Sequence, residues 1–219
     1  MKLFSPDSKF MRAMSALGDL FLLNLVFLLC CVPIVTIGAA AAALYTVAFR
    51  LVRGTEGHVL DAFFRAFREN FRRATPLWLL LALAGGVAVL DIWIFAALTG
   101  VLRLVEIPFV LLLLLALFTA GYAFPLQSQF DNTVKGTLKN ALILSVGTLP
   151  RTLVITALNV FPFALLLLDT YLFLNAGFIW VFLYFSAVAF LNAKLLEKVF
   201  APYREKKEED EHDRPQNET

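Results

Sequence analysis

Three groups of residues in this sequence could carry chemistry. Asp91, Glu106 and Asp169 each stand near one end of a long apolar stretch. An ionisable residue inside a membrane span is a functional candidate by default, so the three together would read as an outward-facing acidic vestibule. Near the end of a span, however, charge costs little, and helix ends or loop ion pairs (Arg103 is close to Glu106) account for them more simply. Asn24 is different because it lies well inside an apolar stretch. Its amide needs a hydrogen-bond partner on a neighbouring helix, an interaction worth about 0.6–2 kcal/mol in lipid. Asn159 and Asn192 take the same reading, interhelical contact rather than ligand contact. The third group is a basic, aromatic segment, with Phe63, Phe64, Arg65, Phe67, Arg68, Asn70, Phe71, Arg72 and Arg73.

Catalytic patterns are missing from the sequence. It holds no Ser-His-Asp, Cys-His, HExxH, Walker A or GxGxxG arrangement. Cys30 and Cys31 are adjacent and fit neither a disulfide framework nor a metal-binding spacing, and His58 and His212 are the only histidines. No catalytic, cofactor or metal site is expected, and the chain reads as a non-enzyme.

The elements that must position these residues follow from composition. Of 219 residues, 60% are apolar and 16% charged, and mean hydropathy is +0.77. A soluble domain has about 45–50% apolar and about 25% charged residues. This chain has more apolar surface than one water-soluble core can hide, so the lipid bilayer is part of its solvent. The formal net charge is only +2, without the dense basic face of a nucleic-acid-binding domain, so no nucleic acid is expected. The fold class is all-α, a polytopic transmembrane helical bundle.

A spanning helix needs roughly 20 apolar residues. Long stretches occur at 16–32, 76–99, 104–124, 152–174 and 176–196, and a shorter one at 37–52 crosses if Arg50 and Arg53 snorkel to the interface. With all six spanning and both termini cytoplasmic, 18 of the 19 Lys and Arg residues fall inside, and only Arg103 outside. Five spans would force a basic segment to the other side, so the positive-inside rule selects six. The expected location is the cell membrane, multi-pass. Residues 1–200 form the membrane domain, and 201–219 read as a disordered, charged cytoplasmic tail. The N-terminal apolar region is too long for a cleaved signal peptide.

Residues 58–73 place Leu60, Phe63, Phe64, Phe67 and Phe71 on one helical face, with the arginines opposite. The spacing predicts an amphipathic helix in the cytoplasmic interface, phenylalanines in the acyl boundary and arginines among anionic headgroups. It serves either as an anchor or as a docking helix for a partner. A second such segment, 130–142, carries Phe130, Val134, Leu138 and Leu142 as a stripe. Each is followed by a proline (Pro76, Pro150) and a span, a pattern suggestive of a loose tandem repeat, as in parallel-repeat transporters.

Pro33 should end or kink the first span, Thr36 can N-cap the next helix, and Gly38 with the following alanines offers a smooth face for close packing. A tight helical hairpin is predicted. The run Asn24-Leu25…Pro33-Ile-Val-Thr36-Ile-Gly38…Ala43-Leu44-Tyr45, followed by Phe63, Phe64, Phe67, Asn70 and Phe71 among arginines, resembles the YesL family of small bacterial membrane proteins. The resemblance is strong over about residues 17–80, and weaker from there to about 200, where Lys139–Leu142 and the Leu149-Pro150 step are similar. It implies no reaction. It does imply a context, since such proteins are often encoded beside sugar ABC-transporter permeases and polysaccharide-degrading enzymes. The expected function is therefore an accessory or regulatory component of carbohydrate uptake, with a sugar ABC-transporter permease or a second copy of the chain as partner. The alternatives are a small transporter or channel in its own right and a membrane assembly factor.

Overall fold

The computed structural model describes residues 9–55, 57–95 and 104–212, with side chains over 14–55, 57–95 and 104–204. Arg103, the last residues of the expected third span (96–99) and the end of the tail (213–219) lie outside the described residues. All regular structure among the described residues is helical, and six helices are long and apolar enough to cross a membrane.

Helix α1 (Lys9–Cys31) stops before Pro33, whose φ of −77° and ψ of 117° are extended. A single 3-10 turn, Ile34–Thr36, leads into α2 (Ile37–Val52). Thr36 does not cap α2 as predicted. Its backbone is helical, and its hydroxyl is 2.5 Å from Cys30 O and 2.7 Å from Pro33 O. The hydroxyl's one proton serves the Cys30 carbonyl left orphaned at the end of α1, since Thr36 N already donates to Pro33 O and the 3-10 turn supplies the helical entry to α2. The expected hairpin is loose as well. α2 packs far more on α3 (Val59–Phe95) than on α1, and α1 contacts the region around residues 180–184 more than it does α2.

Helix α2 ends in a Schellman turn, with Gly54 left-handed (φ 67°), Gly54 N donating to Leu51 O and Thr55 N to Arg50 O. The chain then reverses into α3, and Gly38 at the far end of α2 touches Ala74 and Trp78. So α2 lies antiparallel along Val59–Trp78. This corrects the prediction of a separate interfacial helix over 58–73. That segment is the first half of a continuous 37-residue helix with Pro76 inside it. The residues the helix buries are Val59, Phe63, Ala66, Ala74, Leu77 and Ala88, a face rotated from the predicted stripe. Phe63 is fully buried and Phe67 partly so, whereas Leu60, Phe64 and Phe71 are exposed. The phenylalanine that most defines the segment is thus in protein, not in the acyl boundary. The smooth alanine face of α2 makes this possible, since close backbone approach is what stabilises helix pairs in lipid.

Helix α4 (Glu106–Gln129) returns along α3, exposed over its first half and enclosed from Thr119 to Gln127. Helix α5 (Val134–Gly147) starts at Thr133, whose side chain accepts from Gly136 N. It buries Thr137, Ala141 and Ser145, with Val134 and Leu138 only partly covered and Leu142 exposed. The second predicted stripe is therefore also rotated. Helix α6 (Leu149–Leu168) is shorter at its far end than the expected span 152–174, because Asp169 breaks the helix and caps α7 (Thr170–Asn175). The short α8 (Gly177–Ile179) and a π-helical turn, Trp180–Tyr184, precede α9 (Phe185–His212). α9 continues through 201–212, so that part of the expected disordered tail is helical. Its Arg, Glu and Lys residues are good helix formers. The two halves of the loose repeat diverge too, since Pro76 lies within one helix and Pro150 follows a break between two.

The core surrounds α2, whose Ala39, Ala40, Ala42, Ala43, Ala48 and Phe49 are inaccessible. At one end, Phe49, Phe200 and Phe130 form a ring cluster, and Arg53 makes a two-pronged pair with Glu197 (both contacts 3.1 Å). Gln129 and Arg204 join this pair, and Arg73 bonds Asp131 nearby. The ends of α2, α4 and α9 therefore meet at one end of the bundle through Arg53, Gln129, Glu197 and Arg204, and Val59–Ala74 runs back along α2 from there.

Candidate functional site

Asn24 is fully buried, and its partners explain why an amide is there. Its Nδ2 donates to Trp180 O (3.0 Å) and Val181 O (2.7 Å), and its Oδ1 accepts from Ser186 N (2.9 Å). Val181 and Ser186 are five residues apart, the π-helical spacing. The amide thus bridges two backbone groups of the widened turn, and the cross-helix contact predicted for Asn24 falls on main chain rather than on another side chain. Around it, Phe21 stacks on Phe182 and Phe27 leans on Phe185.

The π turn directs Tyr184 and Phe185 into the wall of a cavity of about 270 Å³. Tyr45, Trp78, Phe124 and Asn159 contribute from α2, α3, α4 and α6, and no charged residue lines it. Tyr45 OH accepts from Asn192 Nδ2 at 3.1 Å, and the same Nδ2 is 3.4 Å from Asn159 Oδ1. Asn159 and Asn192 are therefore neighbours, as interhelical contact requires. Two buried oxygens here have no hydrogen-bond partner among the described residues, Thr156 Oγ1 and Asn192 Oδ1.

Beside the cavity, a polar chain not anticipated from the sequence joins α4, α5 and α6. Tyr122 OH lies 2.6 Å from Thr148 Oγ1 and accepts from Thr152 Oγ1 at 3.1 Å, while Thr152 also reaches Ser145 O. The signal was present as threonines at 148, 152 and 156, four residues apart and so on one helical face. Thr137 likewise donates to Gln127.

The acidic residues do not form one group. Asp169 is exposed and accepts from Leu172 N at 3.0 Å, which makes it the cap of α7. α7 packs mainly on α6 and α8. Asp91 is half-buried near the end of α3, and Glu106 is half-buried in the first turn of α4. Those two helices meet there through Phe95 stacked on Phe109. The predicted vestibule is thus reduced to two carboxylates on adjoining helices.

Arg65, Arg68 and Arg72 are exposed along the first half of α3, and Arg73 is held by Asp131. Asp61, Phe64, Arg65, Arg68 and Glu69 line a shallow surface depression. None of its four charged residues forms an ion pair among the described residues.

Residues 20–92 match the family described as "Protein of unknown function, DUF624". A stretch of 146 residues is 34% identical to "Uncharacterized protein YteU" of Bacillus subtilis (strain 168), covering 66% of each chain. Both findings support a family of unknown function. The DUF624 match takes in Asn24, Gly38, Tyr45 and the basic half of α3, which is the α2–α3 packing unit. It ends before Glu106, Asn159, Asp169 and Asn192. No solved structure matches the chain.

Proposed function

We propose that the protein is a non-enzymatic accessory component of carbohydrate uptake in the cell membrane, docking a partner through the basic half of α3. The observation that carries this reading is the composition of the exposed face. Asp61 and Glu69 stand among Arg65, Arg68 and Phe64. A surface built only to hold anionic headgroups would gain from arginines alone and would lose from interleaved carboxylates. Mixed charge beside an exposed phenylalanine suits a protein surface of complementary pattern, where charge fixes register and partner choice. Phe63 and Ala66 fasten the helix from behind, so the outer face is free of any folding duty.

The carbohydrate link and the sugar ABC-transporter permease as partner rest on the sequence resemblance to the YesL family. The cytoplasmic placement of this face and of both termini rests on the positive-inside distribution of Lys and Arg. A non-catalytic role rests on the missing nucleophile–base and metal-binding patterns. The docking reading is tested by exchanging Arg65, Arg68 and Arg72 together for Gln, leaving Arg73 to Asp131. The variant is expected to insert normally, because six apolar helices hold it in the bilayer, and to lose a permease that co-purifies in mild detergent from sugar-grown cells. An intact complex and unchanged growth on the sugar would leave the segment as an anchor. Recovery of the parent protein as a lone homo-oligomer would favour a transporter instead.

A further inference from the structure

We infer that the central cavity is a binding site for an uncharged, mainly apolar molecule with a single hydroxyl or carbonyl oxygen, taken up sideways from the bilayer. The proposal is independent of the α3 docking face and involves none of its residues.

Four observations support it. The wall is aromatic and aliphatic, with Phe27, Leu44, Trp78, Phe124, Tyr184 and Phe185, and no charged residue lies on it. A charged ligand would therefore be desolvated without compensation. Unused polar capacity borders the cavity, at Thr156 Oγ1 on α6 and at Asn192 Oδ1 on α9 beside Tyr45. Thr156 Oγ1 is buried without a partner among the described residues, whereas Asn159 is already engaged by Asn192 and Tyr45. Thr156 and Asn159 are three residues apart on α6 and share a face. The free Thr156 hydroxyl can donate to, or accept from, one ligand oxygen, with the Asn159 side chain beside it.

The opening is on the lipid side. Phe163 lines the cavity yet is 62% exposed, with half-buried Leu117 and Val160 beside it. The neighbouring surface of α4 and α6 is apolar, with Leu114, Phe161 and Leu166 exposed. An occupant entering there comes from hydrocarbon, not from water. Finally, the wall includes the π turn pinned by Asn24, an irregularity that often marks a functional site. A water cluster fits poorly, because each water needs two to four polar partners and most of this wall offers none.

The probe is hexadecanol carrying a photoactivatable diazirine, presented to the purified protein in phosphatidylcholine vesicles. Cross-links are expected on peptides holding Leu117–Phe124 and Thr156–Phe163. Exchange of Thr156→Val should lower labelling at least fivefold. Ala120→Leu, which fills the cavity from the opposite wall, should do so without touching α6. Competition on the parent protein requires no variant: excess hexadecanol should abolish labelling, whereas hexadecanoate at pH 9 should not. Competition by dioleoylglycerol as well would identify a glycerolipid as the source, and competition by the alcohol alone a free fatty or isoprenoid alcohol. Either result supports the site. Labelling spread over outward residues such as Leu83 and Leu167, equal competition by the carboxylate, or full labelling of both folded variants would overturn it.

Discussion

Gly38 of α2 lies so close to Ala74 of α3 that a Cβ on the glycine would sit 2.3 Å from the Ala74 carbonyl oxygen and 2.5 Å from Trp78 Cβ. The first obstacle is backbone, which cannot rotate aside. Gly38→Ala is therefore expected to destabilise the bundle by about 1–3 kcal/mol, the usual range for overpacking, and Gly38→Leu by more. Thermal unfolding in detergent checks this. Melting equal to the parent protein would show that the contact relaxes freely.

Asn24→Leu removes one acceptor and two donated bonds from the π turn at once. Each buried backbone group left bare costs about 1–3 kcal/mol. Asn24→Asp should also destabilise the fold, since it turns a carboxylate toward Trp180 O and Val181 O, but it keeps the acceptor for Ser186 N. The readout is amide exchange at Ser186, which should quicken sharply in the leucine variant and much less in the aspartate one. Equal protection in all three proteins would remove the bridging role.

Glu197 holds Arg53 and Arg204 together where α2, α4 and α9 converge. Charge-assisted bonds of this kind contribute about 1.5–3 kcal/mol when partly shielded. Glu197→Gln keeps two acceptor–donor contacts at most and loses the charge, and Glu197→Ala leaves two cations facing each other. The expected order of melting temperature is parent, then Gln, then Ala. A variant order that changes with salt by less than the scatter of the measurement would show the pair to be inert.

Both termini are expected to be cytoplasmic. Reporter fusions after Thr219 and within 169–176 should then report opposite sides of the membrane. A fusion after Thr219 that reads as external would invert the orientation.

Much of this architecture was legible in the sequence, and what was not has a physical reason. The helical, membrane-type class followed from composition, and the small-residue run after Gly38 marked a close-packing face. Asn24 could be read as needing a partner, but nothing in Trp180–Tyr184 announces a π turn, because its side chains are as apolar as any lipid-facing stretch. The faces of α3 and α5 were misread for a related cause. Ala66, Ala74 and Ala141 carry little hydrophobic weight, yet they are among the residues the helices bury. Leu142 and Phe71 are strongly apolar and turn outward. Where the solvent is partly lipid, hydrophobic periodicity does not separate inside from outside. Asp91, Glu106 and Asp169 looked alike in the sequence because each ends an apolar run. Only three-dimensional placement separates a helix cap from two neighbours on a helix pair.

The continuity of α3 has a mechanical consequence. At 1.5 Å per residue its 37 residues make a rod about 56 Å long, against roughly 30 Å of hydrocarbon. Near its midpoint, Trp78 Nε1 donates to Ile34 O at 2.9 Å and Gly38 abuts Ala74. The rod is therefore held along its first half by α2, up to the point where Pro76 makes it easiest to bend. From Pro76 to Phe95 is about 29 Å, so a 10° bend at Pro76 displaces the far tip, with Phe109 stacked on it, by about 5 Å. Bending at that one joint would swing the Phe95 tip against α4 while the basic half stays clamped on α2.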